Sequence, residues 1–283
     1  MLILSLILAH LFADFYLQTD EMVIEKRKNI KKHILHHVIV NTIVFTGFEL
    51  IDHKQFHLVS HIIFPLAFIV LSHYIIDFLK IKLLDTIKIH QEEGLKRLSF
   101  FILDQCLHLV TIILVGRIFL GTNIAGTVGI FLEGQKLSPI NAVLFTIIIV
   151  ILTTSVSGHM IRILLGSMPN QLLSFEGKYS FKNNRQEEHF INKSGITEEY
   201  HYPIFSKQDL SRGKLIGYIE RLLVLVLTFY HAYPAIGFIV AAKSIARFKQ
   251  MDDRDWAEYF LLGTLTSMFI GITLGIILRE ALT

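Results

Sequence analysis

Residues 58–79 read LVSHIIFPLAFIVLSHYIIDFL, and this stretch decides the fold class. It is an almost unbroken run of aliphatic and aromatic side chains, as long as the ~20-residue helix that crosses the ~30 Å hydrocarbon core of a bilayer. Lipid offers no partner for backbone amides, so a single span of this kind must satisfy its hydrogen bonds internally, as a helix. Near its end the run carries two ionisable groups, His73 and Asp77, four residues apart.

Seven further runs resemble it, at about 2–19, 34–51, 98–119, 140–165, 214–230, 233–248 and 257–279. The seventh in chain order, 233–248, is short and is parted from the sixth only by His231, Ala232, Tyr233 and Pro234, which fits a tight hairpin or one broken span. Of the 283 residues, 52% are hydrophobic and 18% charged, with a mean hydropathy of +0.53. Soluble domains of this size carry about 25% charge. Disordered, collagen-like and ordinary cytosolic chains are excluded. One cysteine, Cys106, excludes a disulfide framework and any multi-cysteine zinc or iron–sulfur site. The first run has no basic stretch before it and is interrupted by Asp14, unlike a secretory signal. The expected fold is therefore all-α: a polytopic membrane bundle of about eight transmembrane helices.

Lysine and arginine placement gives the expected direction. Lys26, Arg27, Lys28, Lys31 and Lys32 follow the first run, and Lys80, Lys82, Lys88, Lys96 and Arg97 lie around the third connection. Lys243, Arg247, Lys249 and Arg254 mark the seventh, whereas the opposite connections hold only Lys54 and Lys136. An even number of spans with both termini outside, and the basic connections in the cytoplasm, satisfies this bias. The expected organisation is a four-helix unit over 1–120, a loop and fifth span over 121–165, a polar cytoplasmic insert over 166–213, and a hairpin with a last span over 214–283.

Four of the runs carry potential metal ligands four residues apart: His10 and Asp14, His33 and His37, His73 and Asp77, Asp104 and His108. Positions i and i+4 share one helix face, so both side chains of a pair can address one ion. An ionised carboxylate in lipid costs about 2.5–3.5 kcal/mol even on the lenient insertion scale, and each of the three Asp has a histidine one turn away. With the direction above, all four pairs fall at one depth, on the cytoplasmic side. They are expected to meet there as a metal site between the first four helices. Imidazoles and carboxylates together suit zinc first, then iron or manganese, as one or two ions. Two divalent ions and three Asp would leave a local charge of about +1, which attracts an anion and activates water for hydrolysis. His36 lies about 100° around the helix from His37 and is set beside the ligand group. Asp20, at the end of the first run, is read as a helix cap.

For the chemical step, Asp104, Glu220, Lys243 and Arg247 are the expected catalytic residues, with Lys243, Arg247 or Arg221 holding an anionic group. Lys80 follows Asp77 by three, and Glu258 opens the last run. The Gly213/Gly217 and Gly271/Gly275 spacings suit close helix packing.

Ala9-His10-Leu11, Asp14-Phe15 and Leu17-Gln18-Thr19, with the His33/His37 box and His73-x3-Asp77, resemble an uncharacterised bacterial integral-membrane family of unknown function. Ile216–Arg221, Ala242–Phe248 and Ala257–Thr264 resemble its second half. The resemblance implies a membrane protein and carries no established activity. More loosely, repeated His-x3-Asp pairs at span ends are similar to membrane-bound metal-dependent hydrolases. The leading expectation is thus an inner-membrane metal-dependent hydrolase acting on an anionic lipid or small phosphoester or acyl substrate, with membrane lipid as its other partner and no nucleic acid. A divalent-metal or proton-coupled transporter is the alternative, followed by a diiron membrane oxidase, for which one histidine box is too few, and by a structural scaffold.

Overall fold

The computed structural model describes residues 1–19, 22–23, 25–51, 58–87, 89, 93–122, 136–166, 180–181, 198–199, 207–252 and 254–283, with side chains of 180–181, 198–199, 207–212 and 250 outside the description. Its helical rods are α1 (Leu2–Leu17), α2 (Lys26–Ile51), α3 (Leu58–Ile87), α4 (Gly94–Leu120), α5 (Pro139–Leu165), α6 (Lys207–Phe229), α7 (Tyr233–Ala246) and α8 (Arg254–Leu282). The one strand pairing among the described residues joins Ser180–Phe181 to Glu198–Glu199, inside the polar insert. The fold is otherwise all-α, as expected.

Local sequence sets the rod ends. Pro139 and Pro234 start α5 and α7, where a missing N–H costs nothing. Gly121 ends α4 with φ +58°, and the next amide, of Thr122, donates back to the Gly116 carbonyl at 3.0 Å. That left-handed closure favours a residue without Cβ. Three rods contain a π-turn: Ala13–Leu17 ending α1, Leu58–Ile63 opening α3 and Leu152–Val156 within α5.

Helices α1 to α4 form a closed ring in chain order, each packed on the next and α4 on α1. Its apolar end joins Leu2 and Leu6 of α1, Phe45 of α2, Ile62 and Ile69 of α3, and Ile112 and Val115 of α4. Starts of α1 and α3 thus meet ends of α2 and α4, so neighbours run antiparallel. Helix α5 lies across α1 and α4, where Leu11 and Phe101 pack on Ile148, Ile151 and Val156. Beyond α5 come α6 and α8, with α7 against α6. Along α6 and α8, Gly271 meets Val224 and Gly275 meets Thr228, so these two helices run parallel; a Cβ on Gly275 would fall 2.7 Å from Cβ of Thr228. This is close small-residue packing of the kind membrane helices use.

Five rods, α2, α3, α4, α5 and α8, are long and apolar enough to cross a membrane. Of the other three, α1 and α7 are apolar but shorter, and α6 carries Lys214, Glu220 and Arg221 along its length. Large apolar side chains cover the outside: Ile43 is 67% exposed, Leu71 61% and Phe269 71%. An outward surface of this kind is compatible with a multi-pass membrane protein.

Candidate metal centre

The expected pairs meet inside the four-helix ring, at the end where α1 leads to α2 and α3 to α4. Because neighbouring helices alternate in direction, the eight residues fall into two layers. The deeper layer takes one histidine from each helix: His10, His37, His73 and His108. Their rings crowd together, with centroids 3.7 Å apart for His37 and His73, 4.1 Å for His73 and His108 and 4.9 Å for His10 and His108. The outer layer takes Asp14, His33, Asp77 and Asp104. All but Asp14 are buried, and Asp14 has a side-chain exposure of 11%. Asp14 sits in the π-turn of α1, the kind of local widening that often re-aims a functional side chain.

Donor atoms converge across the layers. Asp14 Oδ1 lies 2.9 Å from His37 Nε2, 3.5 Å from His33 Nε2 and 4.0 Å from His73 Nε2, and the last two nitrogens are 3.0 Å apart. Tetrahedral zinc, bound at about 2.0–2.1 Å, spaces its donors about 3.3–3.4 Å apart, so small side-chain shifts bring these four into a coordination shell. Asp14, His33, His37 and His73 form one such set, and His73, Asp77 and His108 form a second that shares His73.

Orphaned polar atoms point the same way. Asp77 Oδ2, Asp104 Oδ1 and His108 Nε2 are buried with no hydrogen-bond partner. Two neutral imidazole nitrogens cannot hydrogen-bond unless one bears a proton, and His108 uses Nδ1 on the Asp104 carbonyl at 2.7 Å. As the carbonyl only accepts, Nδ1 is the donor and Nε2 keeps a lone pair for an ion. A small void, about the size of one water, lies among His10, His37, His73 and His108, bounded by Asn41, Ile69, Thr111 and Ile112. In residue type, spacing and unmet bonding capacity, these groups fit a divalent ion.

Each of two carboxylates also holds a lysine. Lys26 Nζ donates to Asp77 Oδ1 and Lys80 Nζ to Asp104 Oδ2, both at 2.6 Å. Three acids against two ammonium groups leave about one negative charge when the imidazoles are neutral, a balance that favours a cation. Gln105 ties the outer layer together, its Nε2 donating to Asp14 Oδ2 at 3.2 Å and lying 3.4 Å from Asp104 Oδ2, while its Oε1 is 3.4 Å from His10 Nε2. Asn41 Nδ2 caps the His37 carbonyl at 2.8 Å. Sequence reasoning passed over Lys26, Gln105 and Asn41. Gln105 and Asn41 left a visible signal, polar side chains in apolar runs beside or one turn from a ligand.

The remaining expected residues lie elsewhere. Lys243 of α7 donates to Glu220 Oε2 of α6 at 2.6 Å, and Arg247 follows the end of α7. No hydrogen bond or ion pair among the described residues joins these three to the cluster. Arg221 is buried against α5, its Nε donating to the Thr153 carbonyl at 2.7 Å and Nη2 to the Thr154 carbonyl at 3.1 Å. Both carbonyls belong to the π-turn of α5. Gly158 and Gly217 make room for the guanidinium, since a Cβ on either would fall 3.1 Å from it. Arg221 thus staples α6 to α5, away from the ring interior. His36 has a buried Nδ1 without a partner and is outside both donor sets, and Asp20 lies outside the described residues.

No curated protein and no solved structure matches the chain. The C-terminal motifs that carried part of the resemblance fall outside any match. Residues 2–130, which hold the whole four-helix ring and all eight cluster residues, match the model of a family described as a protein of unknown function, DUF3307.

Proposed function

We propose that the chain is a multi-pass inner-membrane hydrolase that uses one or two zinc ions, held by His10, Asp14, His33, His37, His73, Asp77, Asp104 and His108, against an anionic lipid or small phosphoester. The observation that carries this reading is the convergence of Asp14 Oδ1 with three imidazole Nε2 atoms at 2.9–4.0 Å, beside orphaned donors on Asp77, Asp104 and His108. Iron or manganese suits the same donors. Eight spans, both termini outside and the cluster on the cytoplasmic side follow from the basic connections: Lys26, Arg27, Lys28, Lys31 and Lys32 sit on the cluster's side of the ring.

A divalent ion in such a site supplies Lewis acidity and lowers the pKa of water toward neutrality. The chain's own residues do the rest. Gln105 orients Asp14 and Asp104 by bonding both. Asp104, with Oδ2 held by Lys80, leaves Oδ1 unpaired, where it would face a bound ion. The apolar end of the ring, Leu6, Phe45, Ile69 and Ile112, shuts bulk water out from the opposite side.

Elemental analysis of the purified full chain, with hydrolysis of a soluble aryl phosphate and of phosphatidic acid, tests this. One or two ions per chain, and turnover that falls together with metal content in Asp14→Ala, uphold it. Equal metal content in Asp14→Ala and the parent chain overturns the site. Ion passage across proteoliposomes, blocked by Asp77→Ala and without turnover, would replace the hydrolase with a carrier.

A further inference from the structure

The structure assigns Lys26 and Lys80 to an oxyanion subsite on the rim of the metal centre, fit for the phosphoryl group of a phosphate ester. This rests on reading the cluster as a metal centre, and it supplies the anion-binding cations that Lys243 and Arg247 do not provide.

The two lysines come from different helices, α2 and α3, and reach the same layer. Each binds one oxygen of a carboxylate and leaves the other facing the imidazoles. Asp77 gives Oδ1 to Lys26, while its Oδ2 lies 3.5 Å from His33 Nε2 and 3.6 Å from His73 Nε2. Asp104 gives Oδ2 to Lys80, while its Oδ1 lies 3.9 Å from His108 Nδ1. A bound ion would therefore take the carboxylate oxygen opposite the ammonium group, and the two would not compete.

The lysines also have capacity left. An ammonium group has three N–H donors, and each of these spends one on its carboxylate. About a fifth of each lysine side chain is exposed, 20% for Lys26 and 21% for Lys80, against 1% and 4% for the carboxylates they hold. The lysines are thus the part of each pair that reaches the rim, while the acids stay inside. Without an ion, the local charge of about −1 repels an oxyanion, so the subsite works only when metal is bound. Metal and phosphate binding are coupled, each strengthening the other.

Equilibrium dialysis of radiolabelled inorganic phosphate against the detergent-solubilised full chain, with and without zinc, tests the subsite. Zinc should raise phosphate affinity at least tenfold. Lys26→Met and Lys80→Met should each lower it about tenfold with zinc content unchanged, and Lys243→Met should leave it alone. Phosphate affinity unchanged in the Lys26→Met/Lys80→Met double variant, or lost only together with zinc, overturns the proposal. In the parent chain, where folding is not at issue, zinc plus phosphate should shield Lys26 and Lys80 from an amine-acylating reagent while Lys243 still labels. Equal labelling of all three with and without phosphate overturns it too. Competition by phosphatidic acid in nanodiscs, set against phosphatidylcholine nanodiscs, assigns the phosphoryl group to a lipid headgroup; competition by glycerol phosphate alone assigns it to a soluble ester. Either outcome upholds the subsite. Phosphate bound as described without turnover of any ester removes the hydrolase reading and keeps the subsite, whereas turnover indifferent to both lysines does the reverse.

Discussion

His73 belongs to both donor sets, whereas His108 belongs to one. The two should therefore behave differently when truncated. His73→Ala is expected to empty the centre, and His108→Ala to leave at least half of the parent metal content, with elemental analysis of the two purified variants as the check. At this scale the sequence was most readable. An acid and an imidazole one turn apart inside an apolar run are costly unless they serve each other or an ion, and that cost marks them. Partners from other helices leave no such mark. Lys80 stands three residues after Asp77, which suggests a pair within α3, yet it binds Asp104 on α4. Lys26 reads as one of five basic residues in a connection, and only packing shows that it turns inward while its neighbours Arg27 and Lys28 are exposed.

At the scale of elements, apolar length gave the rods, and proline and glycine gave several of their ends. The π-turns were invisible, because one extra residue in a helical turn changes no hydrophobic pattern over a window of twenty. Their consequence is local and electrostatic. At the π-turn Leu152–Val156, Arg221 reaches across from α6 and adds a charged donor to the carbonyls of Thr153 and Thr154. From sequence the same arginine reads as a substrate-binding cation. Arg221→Gln should lower stability by about 2–4 kcal/mol, since a bond from a charged donor to a buried carbonyl contributes about 1.5–3 kcal/mol. Thermal unfolding in detergent should show the loss while metal content stays at the parent level. Metal lost in parallel would mean that the staple also shapes the ring.

At the scale of the whole molecule, the ring of α1–α4 and the group α6–α8 share α5 as their common wall, and all the cluster residues lie in the ring. Depth was legible because span ends and helix direction together put all four pairs at one end; the split into a layer of 10, 37, 73 and 108 and a layer of 14, 33, 77 and 104 came only with the packing. The closing of the ring, α4 back onto α1, was not, because periodicity shows which face is apolar and never which neighbour it meets. One dimension of the second group has a consequence for the surroundings. Helix α7 has 14 residues, about 21 Å at the helical rise, against a hydrocarbon core of about 30 Å. Tyr230 and Tyr233 stand at one end of it and Arg247 and Lys249 at the other, side chains that settle where headgroups begin. Lipids around this flank would have to pinch inward to meet them. The protein should therefore prefer thin membranes: its melting temperature should rise in bilayers of shorter acyl chains and fall in longer ones, and a response flat across chain length would mean that α7 lies tucked beneath its neighbours, screened from the surrounding fat.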